Sequence, residues 1–207
     1  MQEFIFDRTG FPMIFIPEKL FWIHLFPVTK YQFKCYIDDP QNANNTEIKK
    51  YFSDIFECPE TESMQSLTKR EKVFQTRILP DELLKFAEWM GPDFTVSSPE
   101  EWRVAYQFLL AETVLSDELK ILKEKSSEKA VLLIDNLCKE LNPISYLTLS
   151  LLKNGLLEWI IHEKKWTGIG SPRNEFLPNL WDPLMITVNP ISLKERNSFY
   201  GFRLIKK

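Results

Sequence analysis

The chain has 207 residues, 44% of them hydrophobic, with 16 Phe and 6 Trp, enough to build the core of one domain and too apolar for wholesale disorder. Its 26 basic and 29 acidic residues leave a net charge of −3, which gives no basic face for general nucleic-acid binding. The three cysteines, Cys35, Cys58 and Cys138, have no Cys-x-x-Cys spacing and no paired histidines, so neither a disulfide framework nor a zinc site is expected. No stretch approaches the roughly 18 apolar residues of a membrane span, and the first residues lack the basic start of a signal peptide. The expectation is a soluble, cytoplasmic protein folded as a single domain over residues 1–207.

Met13 to Ile16 and Leu20 to Leu25 read as strands joined by a hairpin around Pro17-Glu-Lys19. Thr29 is placed to cap a short helix with Tyr31, Phe33 and Tyr36 on its apolar side. Residues 38–71 are polar, with Asp38-Asp-Pro-Gln-Asn-Ala-Asn-Asn45 as a clear loop, and read as a surface excursion. Asp81 to Met90 carries Leu83, Phe86, Ala87 and Met90 at helical spacing and is stopped by Gly91-Pro92. The next helix has a capping box, Ser98 with Glu101, and Pro99 at its first position. Its buried stripe is expected to be Trp102, Ala105, Tyr106 and Leu109. Glu100 and Glu101 suit a helix N-terminus better than acid–base chemistry.

Residues 112–145 form a helical insert of different texture. Charges alternate with Leu115, Leu119 and Leu122, then with Ala130, Leu133, Ile134, Leu137 and Leu141. This pattern predicts two helices, or one broken near Ser126-Ser127, with Ser116 and Ser127 as caps and Asn142-Pro143 as the stop. From 145 onward strands and irregular loops are expected. His24 and His162 read as solvent-facing or strand-end residues.

Four motifs occur in order: Phe26-Pro-Val-Thr-Lys-Tyr-Gln-Phe33, Val96-Ser-Ser-Pro-Glu-Glu-Trp102, Asn154-Gly-Leu-Leu-Glu-Trp159 and Gly201-Phe-Arg203. With Phe86-Ala-Glu-Trp-Met-Gly91 and a loose Gly168-Ile-Gly-Ser171 turn, the set resembles the formylglycine-generating enzyme (sulfatase-modifying factor) family, a branch of the C-type-lectin fold. The likeness covers about residues 11–107 and 150–207. Of the six glycines, five (at 91, 155, 168, 170 and 201) lie in these motifs, as expected where backbone must turn or approach closely. The resemblance implies an α+β, degenerate C-type-lectin-like domain in which Trp102, Glu158, Trp159, Gly201 and Arg203 are structural motif residues.

The family's enzymes use two cysteines shortly before the closing Gly-Phe-Arg, with copper as cofactor. No cysteine lies between Trp181 and Tyr200 here, and no other side chain replaces a thiolate as nucleophile and soft ligand. Family-type oxidase activity is therefore not expected, and neither is a catalytic residue or a cofactor. The family also binds calcium near the Glu-Trp strand. Glu158 fits that place but lacks the upstream oxygens that would complete the about six to eight ligands calcium wants. Iron-dependent relatives need a histidine triad, and the chain has two histidines.

The expected role is a non-catalytic protein-binding or scaffold module, accessory to a bacterial signalling or defence system as relatives of the domain often are. Trp166, Arg173, Phe176 and Trp181, in a late aromatic loop, are the candidate partner-binding residues, because Trp and Arg are enriched at binding hot spots. Two alternatives stay open: an enzyme with chemistry relocated to Cys35 or Cys58, and a carbohydrate or small-ligand receptor.

Overall fold

Alternating apolar residues build the first sheet. β1 (Phe4–Phe6), β2 (Pro12–Ile16) and β3 (Phe21–His24) form an antiparallel meander, with Ile14 opposite Ile23 and Ile16 opposite Phe21. β3 begins one residue later than expected, where Leu20 adopts φ +53 in the turn, and ends one earlier, at His24. β4 (Phe94–Val96) and β9 (Leu204–Lys206) complete the sheet in the order β1-β2-β3-β9-β4. The second sheet holds β5 (Leu157–His162), β6 (Lys165–Ile169), β7 (Ile186–Thr187) and β8 (Tyr200–Gly201) in the order β7-β6-β5-β8. Its β5–β8 pair is parallel. The computed structural model describes residues 2–42, 70, 72–152, 155–170, 193–196, 198 and 200–207, together with the backbone of 186–187. Among them it has six helices and two sheets, an α+β architecture. No helix among them is long and apolar enough to cross a membrane.

The β1–β2 turn is written in Asp7-Arg-Thr-Gly10. Gly10 N–H donates to the Asp7 carbonyl at 2.9 Å, and Asp7 Oδ1 accepts from Thr9 N–H at 2.7 Å and Phe11 N–H at 3.1 Å, the way Asp commonly stabilises a turn. Gly10 has φ +79, and a Cβ there would sit 2.7 Å from Ser127 Cβ. Both conformation and contact therefore demand glycine.

The first three helices start at or next to their capping signals. α1 (Lys30–Asp38) opens on a Thr29–Gln32 capping box. α2 (Pro80–Met90) begins one residue earlier than expected, at the proline, and Glu82 accepts the Leu79 N–H at 2.9 Å. α3 (Pro99–Ala111) has the expected Ser98–Glu101 box. The insert is two helices, α4 (Ser116–Lys125) and α5 (Glu128–Leu141), broken at Ser126-Ser127, and Asn142 ends the second in a left-handed conformation, φ 43.

Several local expectations need correction. Ser116 lies inside α4 and does not cap it. Leu115, counted in the helical spacing of the insert, lies before α4 and is 52% exposed. The reason is a short antiparallel contact, Val114 N–H to Ile144 C=O at 3.2 Å and Tyr146 N–H to Glu112 C=O at 3.0 Å, which fixes the chain before the helix. Ser127 precedes α5 but makes no side-chain cap bond; its N–H instead reaches the Gly10 carbonyl at 2.9 Å. A four-residue helix, α6 (Tyr146–Leu149), stands where only strands and loops were expected. Burial of Tyr146, Leu147 and Leu149 stabilises it. Residues 43–69 of the expected excursion lie outside the described residues.

Two apolar cores flank the sheets. The first joins Ile14, Ile16, Phe21 and Ile23 to the α3 stripe, to Leu122, Ala130, Leu133, Ile134 and Leu137 of the insert, and to Ile160 and Ile169 of the second sheet. The insert thus shares a core with the strands. The second joins α1 and α2, through Phe33, Tyr36, Leu83, Phe86 and Met90, to Val96, Trp159, Tyr200, Phe202 and Leu204. Phe33 and Phe86 stack at 5.0 Å at its centre.

Candidate functional site

Phe202 and Arg203 carry the chain from β8 in one sheet to β9 in the other. Phe202 enters the second core, and Arg203, 1% exposed, meets Glu158. Arg203 Nε donates to Glu158 Oε1 and Oε2 at 2.9 and 2.8 Å, and Nη2 to Oε1 at 2.6 Å. Nη2 also reaches the Ser150 carbonyl at 3.0 Å, and Nη1 the Leu25 and His24 carbonyls at 3.0 and 3.2 Å. Trp102 Nε1 donates to Glu158 Oε2 at 3.2 Å. Glu158 is placed by β5, whose register sets it beside Gly201 on β8; Trp102 is placed by the first turn of α3. A buried ion pair pays for its desolvation only when remaining donors and acceptors are satisfied, and every guanidinium nitrogen here has a partner.

Trp159, next along β5, belongs to the opposite core. Its ring lies 4.7 Å from Tyr200 and 6.2 Å from Trp166, nearly perpendicular to the latter. Gly168 sits opposite Trp159 in the ladder, and a Cβ there would lie 2.3 Å from the Tyr200 ring. Trp159 Nε1–H is buried without an acceptor among the described residues. Of the candidate partner-binding residues, half-buried Trp166 adjoins this cluster, whereas Arg173, Phe176 and Trp181 lie outside the described residues. The structure thus gathers Trp102, Glu158, Trp159, Gly201 and Arg203 around the β5–β8 pair.

A second buried polar group was not foreseen. His24 closes β3 as a strand-end residue, but it is 2% exposed, which corrects the solvent-facing expectation. Its Nδ1 accepts the Leu204 N–H at 3.3 Å, so the ring proton sits on Nε2. Nε2 lies 3.1 Å from Asp7 Oδ2, close enough for the imidazole to lower the Asp7 pKa. Gln32 Nε2 donates to the same Asp7 oxygen at 2.8 Å. Burial by itself raises the Asp7 pKa. The contacts with His24, Thr9 and Phe11 outweigh burial and hold the carboxyl below its ordinary value of 3.8. The one readable signal was the Asp7-Arg-Thr-Gly10 turn. An acid and an imidazole in contact resemble the base-and-orienter part of a catalytic set, but both are closed off from solvent.

Cys35 and Cys138 are half-buried free thiols. Burial pushes the Cys35 thiol above its ordinary pKa, offset in part by a hydrogen bond with Tyr31. Burial does the same at Cys138, offset in part by Lys123. Both shifts disfavour the thiolate. Cys58 lies outside the described residues. Among the described residues no group of three or more His, Cys, Asp or Glu side chains is placed to hold a metal ion.

No family model matches the chain, and neither does any curated protein or solved structure.

Proposed function

We propose that the chain is a non-catalytic protein-binding or scaffold module on a degenerate C-type-lectin-like fold of the sulfatase-modifying-factor kind. The observation that carries this reading is the closed Arg203–Glu158–Trp102 group. The charged residues of the Glu-Trp and Gly-Phe-Arg motifs are bonded to one another and to backbone carbonyls, leaving them a structural part rather than a reactive one. Glu158 is held by Arg203 and Trp102 on both oxygens, which supports a structural carboxylate over a calcium ligand. The raised pKa of Cys35 weighs against chemistry relocated to that thiol. A part-exposed Trp166 on β6 supports a binding face on the late strands; Arg173, Phe176 and Trp181 remain part of the proposal from the sequence alone. The family likeness extends this reading to an accessory role in bacterial signalling or defence.

The test is affinity capture from the native host with tagged protein, beside a Trp166→Ala/Arg173→Ala variant, together with metal analysis of the purified chain. One dominant protein partner, lost in the variant, is the expected result. Stoichiometric copper, or a cysteine-dependent oxidation, would replace the module with an enzyme. A well-folded sample that captures nothing would overturn the reading.

A further inference from the structure

One face of the first sheet carries two cross-strand rows with opposite fates. In the first, Met13 pairs His24, His24 bonds Leu204 and Leu204 pairs Val96, and all four are buried. The next row runs Glu3, Phe15, Trp22, Lys206, from the residue before β1 across β2 and β3 to β9. It is set by the Phe15 N–H bond to the Glu3 carbonyl at 3.2 Å and by the Phe15–Trp22 and Trp22–Lys206 pairs. Glu3 is exposed, and Phe15, Trp22 and Lys206 are part-exposed. Phe15 and Trp22 pack on each other at 4.8 Å and belong to neither core. Leu20 and Pro17, at the hairpin end beside them, are exposed as well. Aromatic side chains carry a large contact area, and a contiguous exposed patch of them marks an interaction site.

The order of charges along the row says what covers it. The row reads acid, aromatic, aromatic, base, one side chain per strand. Nearby Lys19 and Lys207 are paired with Glu100 and Glu101, each at 2.7 Å. Among the described residues Glu3 meets no cation and Lys206 no carboxylate. A two-fold axis parallel to the strands, midway between β2 and β3, lays a second copy of the row on the first in reverse order. Glu3 of each copy then faces Lys206 of the other, Phe15 faces Trp22, and the Leu20–Pro17 ends of the two hairpins meet. A two-fold axis across the strands would set Glu3 on Glu3 and Lys206 on Lys206, and like charges forbid it. Sheets stack about 10 Å apart, a gap that aromatic rings fill from both sides and that Glu and Lys side chains span. Because such an interface uses one patch twice, both charges of both copies are answered.

We propose that this row is the self-complementary interface of a homodimer, with Glu3 of each protomer on Lys206 of the other and the Phe15–Trp22 pairs packed between them. The dimer stands independently of the protein-binding reading and uses a surface distinct from the late strands. The test is sedimentation of the full chain over a concentration series, with Glu3→Lys, Lys206→Glu, an equimolar mixture of those two variants, and Trp22→Ser, all of matched melting temperature. Phe15→Ser replaces Trp22→Ser if the latter does not fold.

The wild type is expected to dimerise. Trp22→Ser should weaken the dimer at least about tenfold, the loss of a hot-spot contact made twice. Glu3→Lys alone and Lys206→Glu alone each set like charges together at both ends, and each should weaken it by a similar factor. The mixture should dimerise again, because a heterodimer of the two variants restores opposite charges at both ends. A wild type that is monomeric across the series would overturn the proposal. So would a dimer indifferent to Trp22→Ser, which would lie on another surface, or a mixture no better than its two components, which would refute this axis. A monomer that still captures a host protein, lost in Trp166→Ala/Arg173→Ala, would leave the binding reading standing and remove the dimer. A dimer with the expected charge pattern that captures nothing would keep this interface and remove that reading.

Discussion

Two buried polar groups hold the strands together, and they are built on different chemistry. Arg203, Glu158 and Trp102 pin the crossing between the sheets with a guanidinium that is charged at every accessible pH and fully bonded. Asp7, His24 and Gln32 pin the β1–β2 turn to α1 around a buried carboxylate whose pKa the fold lowers. Each group is fed by a capping box: Ser98 and Glu101 sit just before Trp102, and Thr29 binds the same Gln32 that reaches Asp7. The difference is one of charge balance: the first joint sets a carboxylate against a guanidinium, and the second holds its carboxylate with an imidazole and an amide.

The largest test of that contrast is Arg203→Met. It leaves Glu158 buried without a counter-charge, and a loss of about 3–5 kcal/mol in urea unfolding is expected. Pairing it with Glu158→Leu should recover most of that loss, since an apolar replacement of both partners is often neutral. A double variant no better than the single would show that the pair is worth more than its desolvation. Next comes Asp7→Asn, expected to cost about 1–3 kcal/mol by leaving donors short of a charged acceptor.

Acid tests the second group. The Asp7 pKa is lower in the folded chain than its ordinary 3.8. Its stabilisation is therefore complete above pH 3.8 and drains away as pH falls through the lower, folded value. Wild-type stability measured against pH should show this loss, and Asp7→Asn should lack that component, whereas Trp102→Phe should keep it. The smallest effects belong to the caps: Thr29→Ala and Ser98→Ala should each cost about 1 kcal/mol in thermal unfolding. Thr29→Ala is expected to cost more, because it also releases Gln32.

The first group was partly legible in the sequence. The motif residues Trp102, Glu158 and Arg203 stood out, and the Ser98 box placed Trp102 at the start of a helix. Their meeting was not readable, because it depends on β8 running parallel to β5 and on the chain changing sheets at Phe202. The second group was illegible except for its turn. Asp7 and His24 sit on different strands, and only the β1-β2-β3 order, with Leu204 arriving from the far end of the chain, brings them together. Short elements escaped for the same reason: β1, β4 and α6 are too brief to show a period, and tertiary burial decides them. Leu115 fitted the helical spacing but stands outside the helix it was meant to line. The aromatic row of Phe15 and Trp22 read as ordinary strand, since alternation alone does not say which half of a face the helices cover.

The place of β9 between β3 and β4 has a consequence for biosynthesis. Until residues 200–206 have left the ribosome, the first sheet is two separate pieces, β1 to β3 and a lone β4, and Glu158 has no guanidinium to meet. Nascent chain lacking these residues would expose strand edges on both sides of the gap, which invites pairing with other chains. Closure of this sheet therefore has to wait for β9, however early the β1–β3 meander forms.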